Sequence, residues 1–250
     1  MSKGYGQYCP LALAAELLCQ RWTILVLSRL IDGCRRFNEI QAGVPGMSPS
    51  LLSKRLRELQ DAGLVRKITA GGRQTSYELT DSGREAEAIV MSMAVWGQQW
   101  ARDMEMADLD PEFLVWSLHM GVDVDSLPAE RLVLEFEFSG CAHDCDRFWL
   151  VCEDRVVEMC VKDPGLEPDV TVQSDLRLFV EAWRGFRDLK QEIAEGNVRV
   201  FGPPELTRRL ADWLLGSTLA PYPRKRQGRE RQIWERQRSG SAERLPSGTP

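Results

Sequence analysis

Histidine is nearly missing from this 250-residue sequence: there are two, His119 and His143, and neither is accompanied by a serine or cysteine pattern that would build a nucleophilic triad. A glycine-rich phosphate loop and a clustered acid–base pair are also missing, so the chain is expected not to be an enzyme and to carry no cofactor. No run of about 18 apolar residues occurs, which argues against a membrane-spanning helix. The apolar stretch from Leu11 to Leu18 is broken by Glu16, follows no strongly basic leader and continues into more helix. It is not read as a signal peptide, and the chain is expected in the cytoplasm. The seven cysteines are odd in number and irregularly spaced, which fits reduced thiols better than a disulfide framework. Cys141, His143 and Cys145 lie within five residues, but no second cysteine pair follows at zinc-site spacing, so no metal is expected. A net charge of −5 argues against a uniformly basic nucleic-acid binder.

The distribution of charge says more than its total. Residues 1–100 carry +3, residues 101–220 carry −13 and residues 221–250 carry +5. A mildly basic head, an acidic body and a basic tail follow. The expected divisions are a first domain over 1–105, a linker and bridging helix over 106–124, a second domain over 125–217 and a basic, disordered tail over 218–250. The 43% hydrophobic content supports real cores in a chain of this length.

In the head, Ser48 can cap a helix, Pro49 suits its first turn and Gly63 offers a left-handed stop. Leu52, Leu56 and Leu59 fall on one face, with Ser50, Lys54 and Arg57 opposite. Alone, that pattern fits a solvated amphipathic helix as well as a DNA reader. Its neighbours decide. LALAAELL after Pro10 reads as a short helix with its leucines and alanines mostly buried, and WTILVLSRLI at 22–31 as the central helix of a small bundle. FNEIQAGV and a Pro-Gly turn then lead into the capped helix, a helix-turn-helix order. After Gly63, LVRKIT and TSYELT are strand-like and joined through Gly71-Gly72, a hairpin with Arg73 and Gln74 near its tip. Helix-turn-helix plus basic ribbon is a winged helix. Between Arg21 and Arg73 ten Lys/Arg stand against four Asp/Glu.

These residues resemble the HxlR-type winged-helix transcriptional regulators. The matching stretches are Cys9-Pro10, RWTILVLSRL at 21–30, RRFNEIQ at 35–41, the capped helix with its GLV extension and YELTDSG at 77–83, over about residues 8–105. The resemblance implies a dimeric DNA-binding regulator, with recognition on Ser48–Ala62 and a wing on Arg66–Tyr77. Chemically, Lys54 and Arg57 suit guanine O6/N7, and Ser50 and Ser53 suit shorter base or phosphate contacts. Arg36, Asn38, Arg55 and Arg66 suit phosphates, and Arg73 with Gln74 suits the minor groove; for Arg55 a solvated charge beside the core is the equal alternative.

A long helix is expected over Asp81–Met104. Its apolar edge, including Ile89, Met93, Trp96 and Trp100, is wider than a small domain covers. In the HxlR family such a helix forms the dimer seam; packing on the chain's own second domain is the alternative. A homodimer and a pseudo-palindromic double-stranded operator are expected. In several HxlR-type proteins a cysteine placed like Cys9 senses oxidants, while Cys-Pro is also simply part of the family pattern.

Beyond a polar linker at 105–112 and a helix at 111–120, alternating strands at 131–140, 147–163 and 168–174 precede two helices, a strand at 198–202 and a closing amphipathic helix at 203–216. DVTV at 169–172, Arg184-Gly185, EGNVRVFG at 195–202 and Pro203-Pro204 resemble the sterol-carrier-protein type 2 fold, over about 125–217. That resemblance implies an apolar cavity between sheet and helices for a greasy small molecule. Here Leu134, Phe136, Phe138, Val157 and Met159 on the strands, with Phe179, Trp183, Leu210 and Leu214 on the helices, would line it. The same residues equally fill a solid core. The tail adds sequence-independent DNA affinity or simply solubility.

The expected fold is therefore α+β in two domains: a winged helix-turn-helix with a long dimerisation helix, and a sterol-carrier-like domain with one antiparallel-type sheet covered by helices. The expected function is a DNA-binding regulator of the HxlR type, controlled by an apolar ligand. The alternatives are a thiol switch at Cys9 with a structural second domain, and a lipid-binding or interaction protein that no longer binds DNA.

Overall fold

The computed structural model describes residues 4–70, 74–141 and 147–242. The chain divides into two compact units at Ala94–Val95, each with its own core.

The first unit starts with α1 (Pro10–Leu18) and α2 (Thr23–Ile31), followed by α3 (Phe37–Ala42) and α4 (Pro49–Asp61). Ser48 caps α4 by accepting the Leu51 amide at 3.3 Å, Pro49 takes the first position, and Gly63 turns out of the helix at φ +75°. This is the local logic the sequence predicts. Leu52, Leu56 and Leu59 are buried with Val26, Leu27 and Leu30 of α2. Each such side chain contributes about 1.5–3 kcal/mol of transfer free energy. Strands β1 (Val65–Ala70) and β2 (Gln74–Leu79) pair antiparallel, and the Tyr77 amide donates to the Arg35 carbonyl at 2.8 Å, tying the ribbon to the start of α3.

The expectation that α1 buries its leucines and alanines fails within the single chain. No residue of α1 is buried, and Leu11 and Leu13 are 77% and 55% exposed. Its apolar surface outruns what α2 alone can cover.

The expected single helix over 81–104 is two, α5 (Asp81–Glu85) and α6 (Glu87–Trp100), interrupted at Ala86. The Thr80 hydroxyl accepts the Gly83 amide and donates to the Gly63 carbonyl at 2.6 Å, while Ser82 donates to the same carbonyl at 2.9 Å. The end of α4 is thereby fastened to the start of α5. Packing is so close that a Cβ on Gly83 would stand 2.1 Å from the Leu64 carbonyl oxygen. Gly83→Ala is expected to cost about 1–3 kcal/mol, measured as a lowered thermal midpoint; an unchanged midpoint would show that α5 can slide away freely.

In the second unit, α7 (Pro111–Met120) is not a bridge in a linker. Residues Leu114 to Leu118 are all buried, and Leu114, Val115 and Leu118 belong to the main core. The sheet combines β3 (Leu132–Ser139), β4 (Arg147–Glu153), β5 (Val156–Cys160), β6 (Val170–Asp175) and β7 (Val198–Phe201) in the order β5-β4-β3-β6-β7. It is mixed rather than purely antiparallel. After the β3-β4-β5 meander, residues 161–169 return the chain to the far side of β3, so β6 runs parallel to it. Helices α8 (Leu176–Trp183) and α9 (Leu189–Ala194) lie between β6 and β7.

The expected closing helix is also two short ones, α10 (Pro204–Thr207) and α11 (Leu210–Trp213). The turn between them tightens through an Arg209 amide to Leu206 carbonyl bond of 3.0 Å.

The expectation of a disordered tail from 218 is corrected most sharply. Residues 218–242 are part of the second unit and end in α12 (Arg229–Ala242), with Arg224 and Glu230 buried. The tail is poor in apolar residues, but its charged side chains find buried partners that composition does not reveal.

Candidate nucleic-acid interface

The three leucines that anchor α4 fix its rotation, so Ser50, Ser53, Lys54 and Arg57 all come out exposed on the opposite side. Lys54 stands 3.9 Å from Glu58, a loose contact between mobile termini that a phosphate or base edge can replace. Arg57 combines exposure with the forked guanidinium that matches guanine.

Arg55 does not share that face. Its side chain is 12% exposed and donates to the Arg21 carbonyl at 3.0 Å and to Gln20 at 2.9 Å, with a short ion pair to Glu58. It ties α4 to the segment before α2, which leaves it few donors for a phosphate. Arg66 is exposed but engaged by Glu78 across the ribbon, at 2.8 and 3.2 Å. Arg36 and Asn38 are exposed at the start of α3, where Glu39 accepts the Arg35 and Arg36 amides at 2.8 and 2.9 Å. Arg73 lies outside the described residues, and of Gln74 only its backbone place at the head of β2 is described. Lys67, exposed on β1, is a further cation within the Arg66–Tyr77 ribbon.

Ala86, at the break before α6, and Val90 on α6 are buried, whereas Ile89, Met93, Trp96 and Trp100 are 50%, 54%, 61% and 45% exposed. Two tryptophans and a methionine on one helix, with the exposed leucines of α1, make more apolar surface than solvent favours. Leu11, Leu13 and Leu25 were missed as surface residues by sequence reasoning. The signal was there: α1 is apolar nearly all round and too short to have a core of its own.

Cys9 is exposed immediately before α1, and its side chain makes no capping bond. Cys19 is also exposed, whereas Cys34 and Cys152 are buried and burial pushes their thiols up to about 11. At pH 8, iodoacetamide is expected to label Cys9 and Cys19 at least about tenfold faster than Cys34 and Cys152, read by peptide mass mapping. Equal labelling of Cys34 would mean that the first unit opens readily.

In the second unit the residues expected around a cavity mostly form solid core. Leu134, Phe136, Phe138 and Leu210 are buried, and Phe179 meets Phe136 and Phe138 edge-on at 6.2 and 5.6 Å. Val157 and Met159 pack against the same cluster. A partly open cavity of about 250 Å³ does exist beside them, reached by Phe179, Trp183 and Leu214 and completed by Leu118, Leu189 and Ala211. Lys190 at its rim is held by Asp212 at 2.8 Å.

His143 and Cys145 lie outside the described residues, and Cys141 points its thiol to the Phe138 carbonyl at 3.5 Å. His119 meets the Val157 carbonyl at 3.0 Å, and burial pushes its imidazole pKa down. Among the described residues no single helix is long and apolar enough to cross a membrane.

Residues 17–105 match the model of the HxlR-like helix-turn-helix family. The uncharacterised HTH-type transcriptional regulator YvaP of Bacillus subtilis is 33% identical over 112 residues, which are 44% of this chain and 96% of YvaP. The HTH-type transcriptional regulator YodB of the same organism is 33% identical over 95 residues, covering 37% of this chain and 85% of YodB. The solved structure of reduced YodB superposes with a TM-score of 0.34 at 30% identity, covering 40% of this chain and all of that one.

Proposed function

This chain belongs to the HxlR-like helix-turn-helix family, and from that premise we propose that it regulates transcription by binding a pseudo-palindromic operator as a homodimer. The observation that carries this reading is the outward face of α4. Ser50, Ser53, Lys54 and Arg57 are gathered there by burial of the three leucines behind them. Lys54 and Arg57 read base edges in the major groove, and Arg36, Asn38 and Lys67 hold phosphates. Arg66 contributes less than its exposure implies, because Glu78 already neutralises it. Arg55 acts as a structural tie. The second copy docks through α6 and α1, where the exposed Met93, Trp96 and Leu11 would leave solvent. An exposed cationic recognition face also favours this reading over a protein that has lost DNA binding.

The test is titration of a fluorescent duplex, selected by the full chain from a randomised pool, at several salt concentrations. If about six phosphates are neutralised per dimer, log K falls against log salt with a slope near about −5. A salt-insensitive interaction, or no selected duplex, would remove DNA from the reading.

The second domain is a sterol-carrier-like ligand domain in this proposal, supported by the order of strands, two helices, late strand and closing helices around one core. Its cavity of about 250 Å³ falls below the range of about 300–1,000 Å³ typical for drug-sized ligands. The effector is accordingly a small apolar molecule that controls operator affinity by binding two states of the dimer unequally. Native mass spectrometry of untagged protein tests this through a solvent-removable extra mass.

A second reading makes Cys9 a thiol switch, favoured by its exposure ahead of α1. Oxidant-dependent release of DNA that survives Cys9→Ser would eliminate it.

A further inference from the structure

We propose that the cavity of the second unit takes a small hydrophobic amine: an apolar body of about ten non-hydrogen atoms, with a protonated nitrogen received at the rim by the carboxylate of Asp188. This rests on the ligand-domain reading above and adds to it the chemical class of the ligand.

The walls select the body. Leu118 of α7, Phe179 and Trp183 of α8, Leu189 of α9 and Leu214 just after α11 line the space. Such walls offer almost nothing to a polar body, whose groups would lose their water without replacement, so the enclosed part of the ligand is hydrocarbon. An apolar cavity of about 150 Å³ holds one benzene, and by proportion the 250 Å³ here holds about ten non-hydrogen atoms. A sterol or a long acyl chain is too large for it.

The rim selects the head. Two charged residues line the cavity, Asp188 and Lys190. Lys190 is already neutralised, since its ammonium lies 2.8 Å from the Asp212 carboxylate. Asp188 caps α9 through Oδ1, which accepts the Gln191 amide at 2.9 Å, but among the described residues its carboxylate has no ion-pair partner. The charge left over at the mouth is therefore negative, and it matches an ammonium. With only six residues, α9 puts a weak positive end against that full charge. Phe179 and Trp183 in the wall add rings whose negative faces attract a cation. The surrounding chain acts in the same direction, because residues 101–220 carry −13. An anionic ligand would have to displace Asp212 from Lys190 and would meet the like charge of Asp188.

Isothermal titration calorimetry of the full chain at low salt tests this with phenylbutylamine, phenylbutanol and phenylbutyrate, which share one apolar body of suitable size and differ in the head. The amine is expected to bind at least about fivefold tighter than the alcohol, and the acid more weakly than the alcohol. Asp188→Asn keeps a side-chain oxygen for the Gln191 amide, so α9 stays capped while the charge is lost. In that variant the amine-to-alcohol ratio should fall below about twofold with the alcohol's own affinity unchanged, whereas a merely structural residue would weaken all three probes alike. An amine that binds no better than the alcohol, or a ratio that Asp188→Asn leaves unchanged, overturns the inference and leaves an apolar pocket standing. Tightest binding of the acid would assign the head to Lys190 and overturn it as well. Failure of all three probes to bind also overturns the inference, and the native mass spectrum then decides the wider reading separately: a solvent-removable mass keeps the ligand domain, and a bare chain removes it.

Discussion

Met93→Glu combined with Trp96→Glu is expected to convert the dimer to a monomer and to lower operator affinity by about a hundredfold or more. The two side chains are 54% and 61% exposed on successive turns of α6, so their replacement removes no core contact within one chain. The thermal midpoint of the monomer is accordingly expected to change little, since surface substitutions mostly stay within about 0.5 kcal/mol. Across a two-fold seam the double substitution places four carboxylates against each other, and burying unpaired charge is far costlier than the apolar contact it replaces. Loss of the second half-site then removes the effective concentration, about millimolar, that one bound half supplies to the other. Sedimentation velocity and duplex titration read both effects. A monomer that still bound the operator tightly would contradict the dimeric mode, and an unchanged dimer would move the seam away from α6, with the bare surface of α1 as the next place to look.

Arg57→Ala is the second large effect, and its character matters more than its size. A bidentate contact to guanine discriminates by about 1–3 kcal/mol, and a symmetric dimer loses it twice, so about 30-fold or more is expected on the selected duplex. On a duplex altered at the matching base pair the loss should nearly vanish. Arg36→Ala is expected to behave differently, weakening all sequences alike and making the salt slope shallower. Equal loss for Arg57→Ala on every duplex would return Arg57 to the phosphates. Arg55→Ala provides the contrast: with its bonds to the Arg21 carbonyl, Gln20 and Glu58 gone, it should lower stability and leave sequence preference unchanged.

Much of the first unit was legible because its signals are local. Ser48, Pro49 and Gly63 mark the ends of α4 through bonds within four residues, and the leucine spacing sets which side faces out. The different fates of Arg55 and Arg57 were not legible. Both are arginines on a basic helix, and only the position of Gln20 and Arg21, more than 30 residues earlier, turns one of them inward. In the second unit, alternation identified strands β3, β4 and β6, but alternation is the same for parallel and antiparallel neighbours, so the β3–β6 pairing was invisible. Equally, Phe136 and Phe138 read alike as cavity lining or core until Phe179 is seen packed onto both.

The sequence by itself determined the order of the main elements, the caps of α4 and the surplus of apolar surface on α6, because each depends on periodicity and on bonds that span a few residues. Tertiary structure alone decided the mixed sheet, the small cavity, the inward turn of Arg55 and the place of the tail. Composition describes residues 218–242 as polar chain with little to bury. Their order comes from one arginine meeting carbonyls and carboxylates contributed by distant segments, and a charge buried among such partners is a property of three-dimensional arrangement, not of any stretch of sequence.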